Sequence, residues 1–110
     1  MTTLDDLRRA VIAQKTVTLP FEPPDPSLEA LHNSVAGYDA LVSSLVFQAL
    51  SGSRVRIDHE GMRAARGQVE QAVEETSAGN REVEVYLRYL KRLDAVYDLV
   101  QALNKEGGDE

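Results

Sequence analysis

The residues best equipped for chemistry in this chain are two histidines and a scatter of acids, with no cysteine to join them. Glu29 and His32 stand three apart, a spacing that puts two side chains on one helical face. Carboxylate-bridged di-metal bundles take such a Glu-x-x-His pair from each of two helices and add further inward Glu residues. The pair occurs once here, the only other histidine being His59. Glu29 falls on the polar side of its helix, so the two read as surface residues and no metal or cofactor is expected. Acids also recur at spacing four, as Glu70/Glu74 and Asp94/Asp98. The apolar periodicity assigns both pairs to solvated faces, and neither reads as a magnesium site. What remains is Arg54-Val55-Arg56-Ile57-Asp58-His59, an Arg-x4-His pairing. An arginine so placed can stabilise a phosphate while the histidine exchanges protons with a reacting hydroxyl. Ser43, Ser44, Ser51 and Ser53 sit in no strained elbow. Gly52 belongs to a turn and Gly107-Gly108 to the tail, so no glycine-rich phosphate loop exists.

The Arg54/His59 pairing resembles the ribonuclease motif of HEPN-type helical domains. The resemblance covers these six residues and a generic helical architecture. It implies RNA as substrate, Arg54 on the phosphate and His59 in acid–base cleavage. A non-catalytic version implies a helical partner of a nucleotidyltransferase.

The elements that would position these residues are helices. Residues 81–103 carry the widest apolar face. Val83, Tyr86, Leu90, Leu93, Tyr97 and Val100 form a line spaced alternately three and four apart, a heptad-like seam. Leu87 widens it on one side, and Val85, Tyr89, Val96, Leu99 and Leu103 on the other. The arc spans roughly half the circumference, more than an ordinary surface helix needs. Glu84, Arg88, Lys91, Asp94 and Asp98 are expected in water. A second helix is predicted over 26–50, with Asp25 as its N-cap and Pro26 at its first position. Its seam is Leu28, Leu31, Val35, Tyr38, Val42, Leu45 and Ala49. Gly37 lies on its polar side, and Phe47, off the seam, is expected beneath the connector. A third, outer helix is predicted over 58–78, capped by Asp58. Gly79 and Asn80 then turn the chain into the last helix, so the third and fourth form an antiparallel hairpin. A short N-terminal helix over 3–14 is capped by Thr3, with Asp5 and Asp6 in its first turn.

Residues 15–25 form an extended connector rich in proline, with Val17, Leu19 and Phe21 facing inward. Val55 and Ile57 alternate with Arg54 and Arg56, a pattern that can pair beside Val17–Leu19. Residues 105–110 read as a flexible tail. The expectation is therefore one all-α domain over 1–104: an antiparallel bundle of three long helices plus the short N-terminal one.

The formal net charge of −6 argues against a DNA or anionic-membrane surface, either of which calls for a basic footprint. No apolar run is long enough to span a bilayer. The first residues, Met-Thr-Thr-Leu-Asp-Asp, lack the basic and apolar regions of a signal peptide, so the cytoplasm is the expected location. The function expected is that of a non-enzymatic protein–protein interaction module, a homodimer or small subunit of an assembly. Val85, Tyr89, Val96 and Leu103 are its expected interface, unless the N-terminal stripe of Leu4, Leu7 and Val11 covers them. Tyr38, Tyr86, Tyr89 and Tyr97 are amphipathic residues that suit such surfaces. The alternative is the RNase, with Arg54 and His59 as its site and RNA as its partner.

Overall fold

A computed structural model describes residues 2–17, 19, 26–52, 54–76 and 81–106. The fold is all-α, with four α-helices among the described residues: α1 Leu4–Lys15, α2 Glu29–Leu50, α3 His59–Glu75 and α4 Arg81–Glu106. No strand occurs among the described residues. None of the helices is long and apolar enough to cross a membrane.

Helix ends follow local chemistry. Thr3 and Asp6 form a reciprocal cap on α1: the Asp6 amide donates to Thr3 Oγ1 at 3.2 Å and the Thr3 amide to Asp6 Oδ2 at 2.9 Å. These satisfy two amides that the first turn would otherwise leave open. Asp58 caps α3 by accepting from the Gly61 amide at 3.0 Å. A Cβ at Gly61 would lie 2.5 Å from the capping carboxylate, so a larger residue there makes the Asp58 side chain shift. α2 departs from expectation. Pro26–Leu28 forms a 3-10 turn, and the α-helix starts at Glu29 with Leu28 at its cap and no side-chain bond. Asp25, expected as the cap, lies outside the described residues, as do Phe21 and the turn at Gly79 and Asn80. α3 stops at Glu75, short of 78, with Thr76 Oγ1 donating to the Ala72 carbonyl at 2.6 Å. α4 continues to Glu106, past the boundary expected at 103, because Asn104 and Lys105 are compatible with a final helical turn.

The helices pack in the order α1, α4, α2, α3. α4 and α2 form the central pair, α1 lies on α4, and α3 lies on α2. α2 and α4 run parallel, since His32 meets Tyr86 and Tyr38 meets Asp94 in ascending order. The third and fourth helices were expected to pack as a hairpin. Instead the backbone of α3 packs closely on α2 and meets α4 through long side chains. Small residues explain the close approach: Ala72 is buried and Ala65 half-buried on the inner face of α3.

The core is aliphatic with tyrosines. Leu28, Leu31, Val35, Val42, Val69 and Val100 are at most 1 % exposed. The 54–58 segment is extended without pairing into a strand. Val55 is buried and Ile57 half-buried while Arg54 and Arg56 face water, so its alternation records burial alone. The Arg56 amide is satisfied by Gln48 Oε1 at 3.1 Å rather than by Val17–Leu19.

Candidate functional site

The two flanking helices each leave a gap. α3 and α4 do not pack closely, and between them, over α2, lies Asp94. Its carboxylate accepts two-pronged bonds from Arg66, Nε to Oδ1 at 3.1 Å and Nη2 to Oδ2 at 3.0 Å. It also accepts from the Tyr38 hydroxyl at 2.7 Å. Three helices thus converge on one carboxylate. Arg66 Nη1 approaches Glu70 at 3.4 Å, an electrostatic contact without hydrogen-bond geometry. The arrangement corrects the expectation that Asp94 stands in water. Arg66 follows Met62 by four residues and precedes Val69 by three, so it sits on the inner face of α3. A charge there needs a partner, and α4 supplies it.

The second gap lies between α1 and α2, over α4, and remains open as a cleft of about 600 Å³. Tyr89 and Val96 of α4 form its floor. Val42, Val46, Phe47 and Leu50 of α2 form one wall, and Val11, Gln14 and Lys15 of α1 the other. Val17 and Leu19 close one end. A polar group is set into this apolar surface. Tyr89 donates to Asp39 Oδ2 at 2.6 Å and accepts from Gln14 Nε2 at 2.6 Å. Ser43 Oγ donates to Asp39 Oδ1 at 3.1 Å. Gln14 is 8 % exposed, the one polar side chain buried among the described residues.

Burial, reinforced by the bonded carboxylate, pushes the hydroxyls of Tyr38 and Tyr89 well above the ordinary tyrosine value. Both stay protonated and act as donors, so neither is a nucleophile. Tyr86 is also raised, by burial and then by the field of Glu82. Its hydroxyl lies 2.8 Å from His32 Nδ1, with the two rings edge to face. His32 is therefore engaged with α4. Among the described residues no three His, Asp or Glu side chains are grouped to hold a metal ion.

Arg54 and His59 are both exposed, no hydrogen bond or ion pair joins them, and neither lines the cleft. Of the expected interface, Tyr89 and Val96 are 8 % and 1 % exposed, and Val85 and Leu103 are half-buried. α1 provides the cover, with Leu7 fully buried and Val11 packed on the core. The cover is partial, since Tyr89 and Val96 also line the cleft. Phe47, expected beneath the connector, is 73 % exposed at the cleft rim. The tyrosines suited to interfaces spend three of their hydroxyls inside the chain.

Two of the residues missed at this site carried a signal. Gln14 continues the Leu4, Leu7, Val11 line at the next step of three, and Asp39 stands four after Val35 and three before Val42. A polar residue in an apolar register announces a buried bond. Comparison with protein-family models, with curated proteins and with solved structures finds no match to this chain.

Proposed function

We propose that this is a non-enzymatic helical interaction module that pairs with a second copy of itself through the outward face of α2, and that it works in the cytoplasm. The pairing rests on one observation. The exposed positions of α2 after Glu29 carry no charge: Ala30, Asn33, Ala36, Gly37, Ala40, Leu41, Ser43, Ser44, Phe47 and Leu50. The other helices present charges to water, among them Arg8 and Arg9 on α1, Glu70 and Glu74 on α3, and Arg88 and Lys91 on α4. Depletion of charge around exposed apolar side chains marks the centre of an interface. Phe47 at 73 %, Leu41 at 41 % and Leu50 at 38 % exposure supply the apolar area. An uncharged face also suits an identical partner. Two chains of net charge −6 repel at long range, and they meet with least repulsion where the surface carries no charge. A twofold axis places the same face on both copies. The cysteine-free composition suits a reducing compartment.

Gly37 makes the reading testable. A Cβ at Gly37 would meet nothing within 4 Å inside the chain, and the same holds for Gly67 on α3. Mid-helix glycine costs about 1 kcal/mol relative to alanine, so Gly37→Ala and Gly67→Ala should each stabilise the monomer by about that much in urea titrations. Gly37→Ala should also weaken self-association in sedimentation experiments, because it fills the line along which two α2 helices approach. Gly67→Ala should leave association unchanged. A wild-type protein that sediments as a monomer throughout the micromolar range would overturn the homodimer.

A further inference from the structure

The cleft carries a second inference, argued from its own polar group; it shares Ser43, Phe47 and Leu50 with the face proposed to pair. Asp39 is half-buried at its edge and accepts only from hydroxyls, those of Tyr89 and Ser43. Among the described residues no cation lies within ion-pair distance of it. Asp94, the matching carboxylate on the other side of the bundle, is held by Arg66. The Asp39 charge is thus set beside an apolar surface with no counter-charge among the described residues. Lys15 lines the same cleft and makes no bond to Asp39. The volume of about 600 Å³ falls in the range of small-molecule sites, and the pattern of an apolar lining with a few converging polar groups is theirs.

We infer that the cleft binds a protonated aliphatic amine, with its ammonium on Asp39 and its hydrocarbon along Val42, Val46 and Leu19. An ammonium can use the lone pairs of Asp39 that Tyr89 and Ser43 leave open, and a charge-assisted bond next to apolar surface is stronger than a neutral one. A carboxylate ligand would meet Asp39 as a like charge. An alcohol of the same length gains the apolar contact without the ion pair.

Titration calorimetry with n-octylamine, 1-octanol and octanoate, each below its micelle concentration, tests this. Octylammonium should bind the wild-type chain roughly tenfold or more tightly than octanol, and octanoate should bind most weakly. Asp39→Asn should erase the preference for the amine. Lys15→Met should strengthen amine binding by removing a cation that lines the cleft. Val46→Phe, which fills the wall and leaves the carboxylate in place, should weaken amine and alcohol alike. Light scattering on the same samples separates this outcome from any change in oligomeric state. Should Asp39→Asn fail to fold, the ranking of the three ligands on the wild type still decides. Octanoate binding as tightly as the amine would overturn the inference, because Lys15 would then be the head-group site. So would an unchanged amine affinity in folded Asp39→Asn, or no detectable binding of the amine.

Discussion

The two gaps of the bundle are built from the same parts and end differently. On one side a tyrosine of α2, Tyr38, donates to an aspartate of α4, Asp94. On the other a tyrosine of α4, Tyr89, donates to an aspartate of α2, Asp39. The two α2 residues are neighbours in sequence and face opposite flanks. The flanking helix then decides the outcome. α3 sends a guanidinium, which neutralises Asp94 and fills the space between helices. α1 sends an amide, Gln14, which bonds the tyrosine and leaves the carboxylate uncompensated beside an open cleft. A bundle can close a seam with a charge pair or keep it available with a neutral bond, and this one does each once.

The largest effect should come from loosening the helix that bounds the open side. Leu7 is fully buried, and Leu7→Ala should cost about 3 kcal/mol in a urea titration, the usual range for truncating a buried leucine. Helix α1 has 12 residues and is marginal alone, so the loss should concentrate there. Hydrogen exchange should show α1 amides exchanging faster while the α2–α3 packing keeps its protection. Uniform loss of protection across all four helices would mean that α1 is not a separable flank.

The sharper test sets the two aspartates against each other. Asp94→Ala strands the Arg66 guanidinium, and should cost about 2 kcal/mol; full burial would cost more, but both side chains are about a third exposed and solvent screens them. Asp39→Ala strands only hydroxyls, and should cost about 1 kcal/mol. Equal losses would show that Arg66 contributes nothing beyond a neutral donor, and the contrast between the two sides would collapse.

Most of the fold was legible, because heptad-like apolar spacing survives in any sequence that must bury one side of a helix. The seams of α2 and α4, and the caps at Thr3 and Asp58, stand where the periodicity put them. The polar contacts across helices were not legible. Asp94 and Arg66 are ordinary surface types, and only the packing of α3 on α2 brings them together. The cleft was invisible for the same reason. It is set by the spacing of α1 from α2, which depends on where α1 docks along α4 rather than on residue types. The second stripe of α4 was rightly seen as needing cover, but periodicity cannot say whose helix supplies it.

The smallest effect concerns how firmly α1 is started, and it bears on the open side alone. The Thr3 amide, bonded to Asp6, holds the Asp6 carboxyl below its ordinary value of 3.8. A carboxyl depressed in the folded state adds stability that is present above its unfolded value and is lost as the pH falls through the folded one. Asp6→Asn should therefore lower helicity and α1 protection slightly near neutral pH, where the wild-type carboxylate holds the Thr3 amide. The gap between variant and wild type should close as the pH falls below the ordinary carboxylate range, once Asp6 is protonated and can no longer anchor the Thr3 amide. Exchange rates of the α1 amides at several pH values measure it. The Arg66–Asp94 side should not respond to the substitution at any pH, because nothing in that contact depends on where α1 begins. A difference that persisted in acid would show that the charge of Asp6 is not what anchors the Thr3 amide.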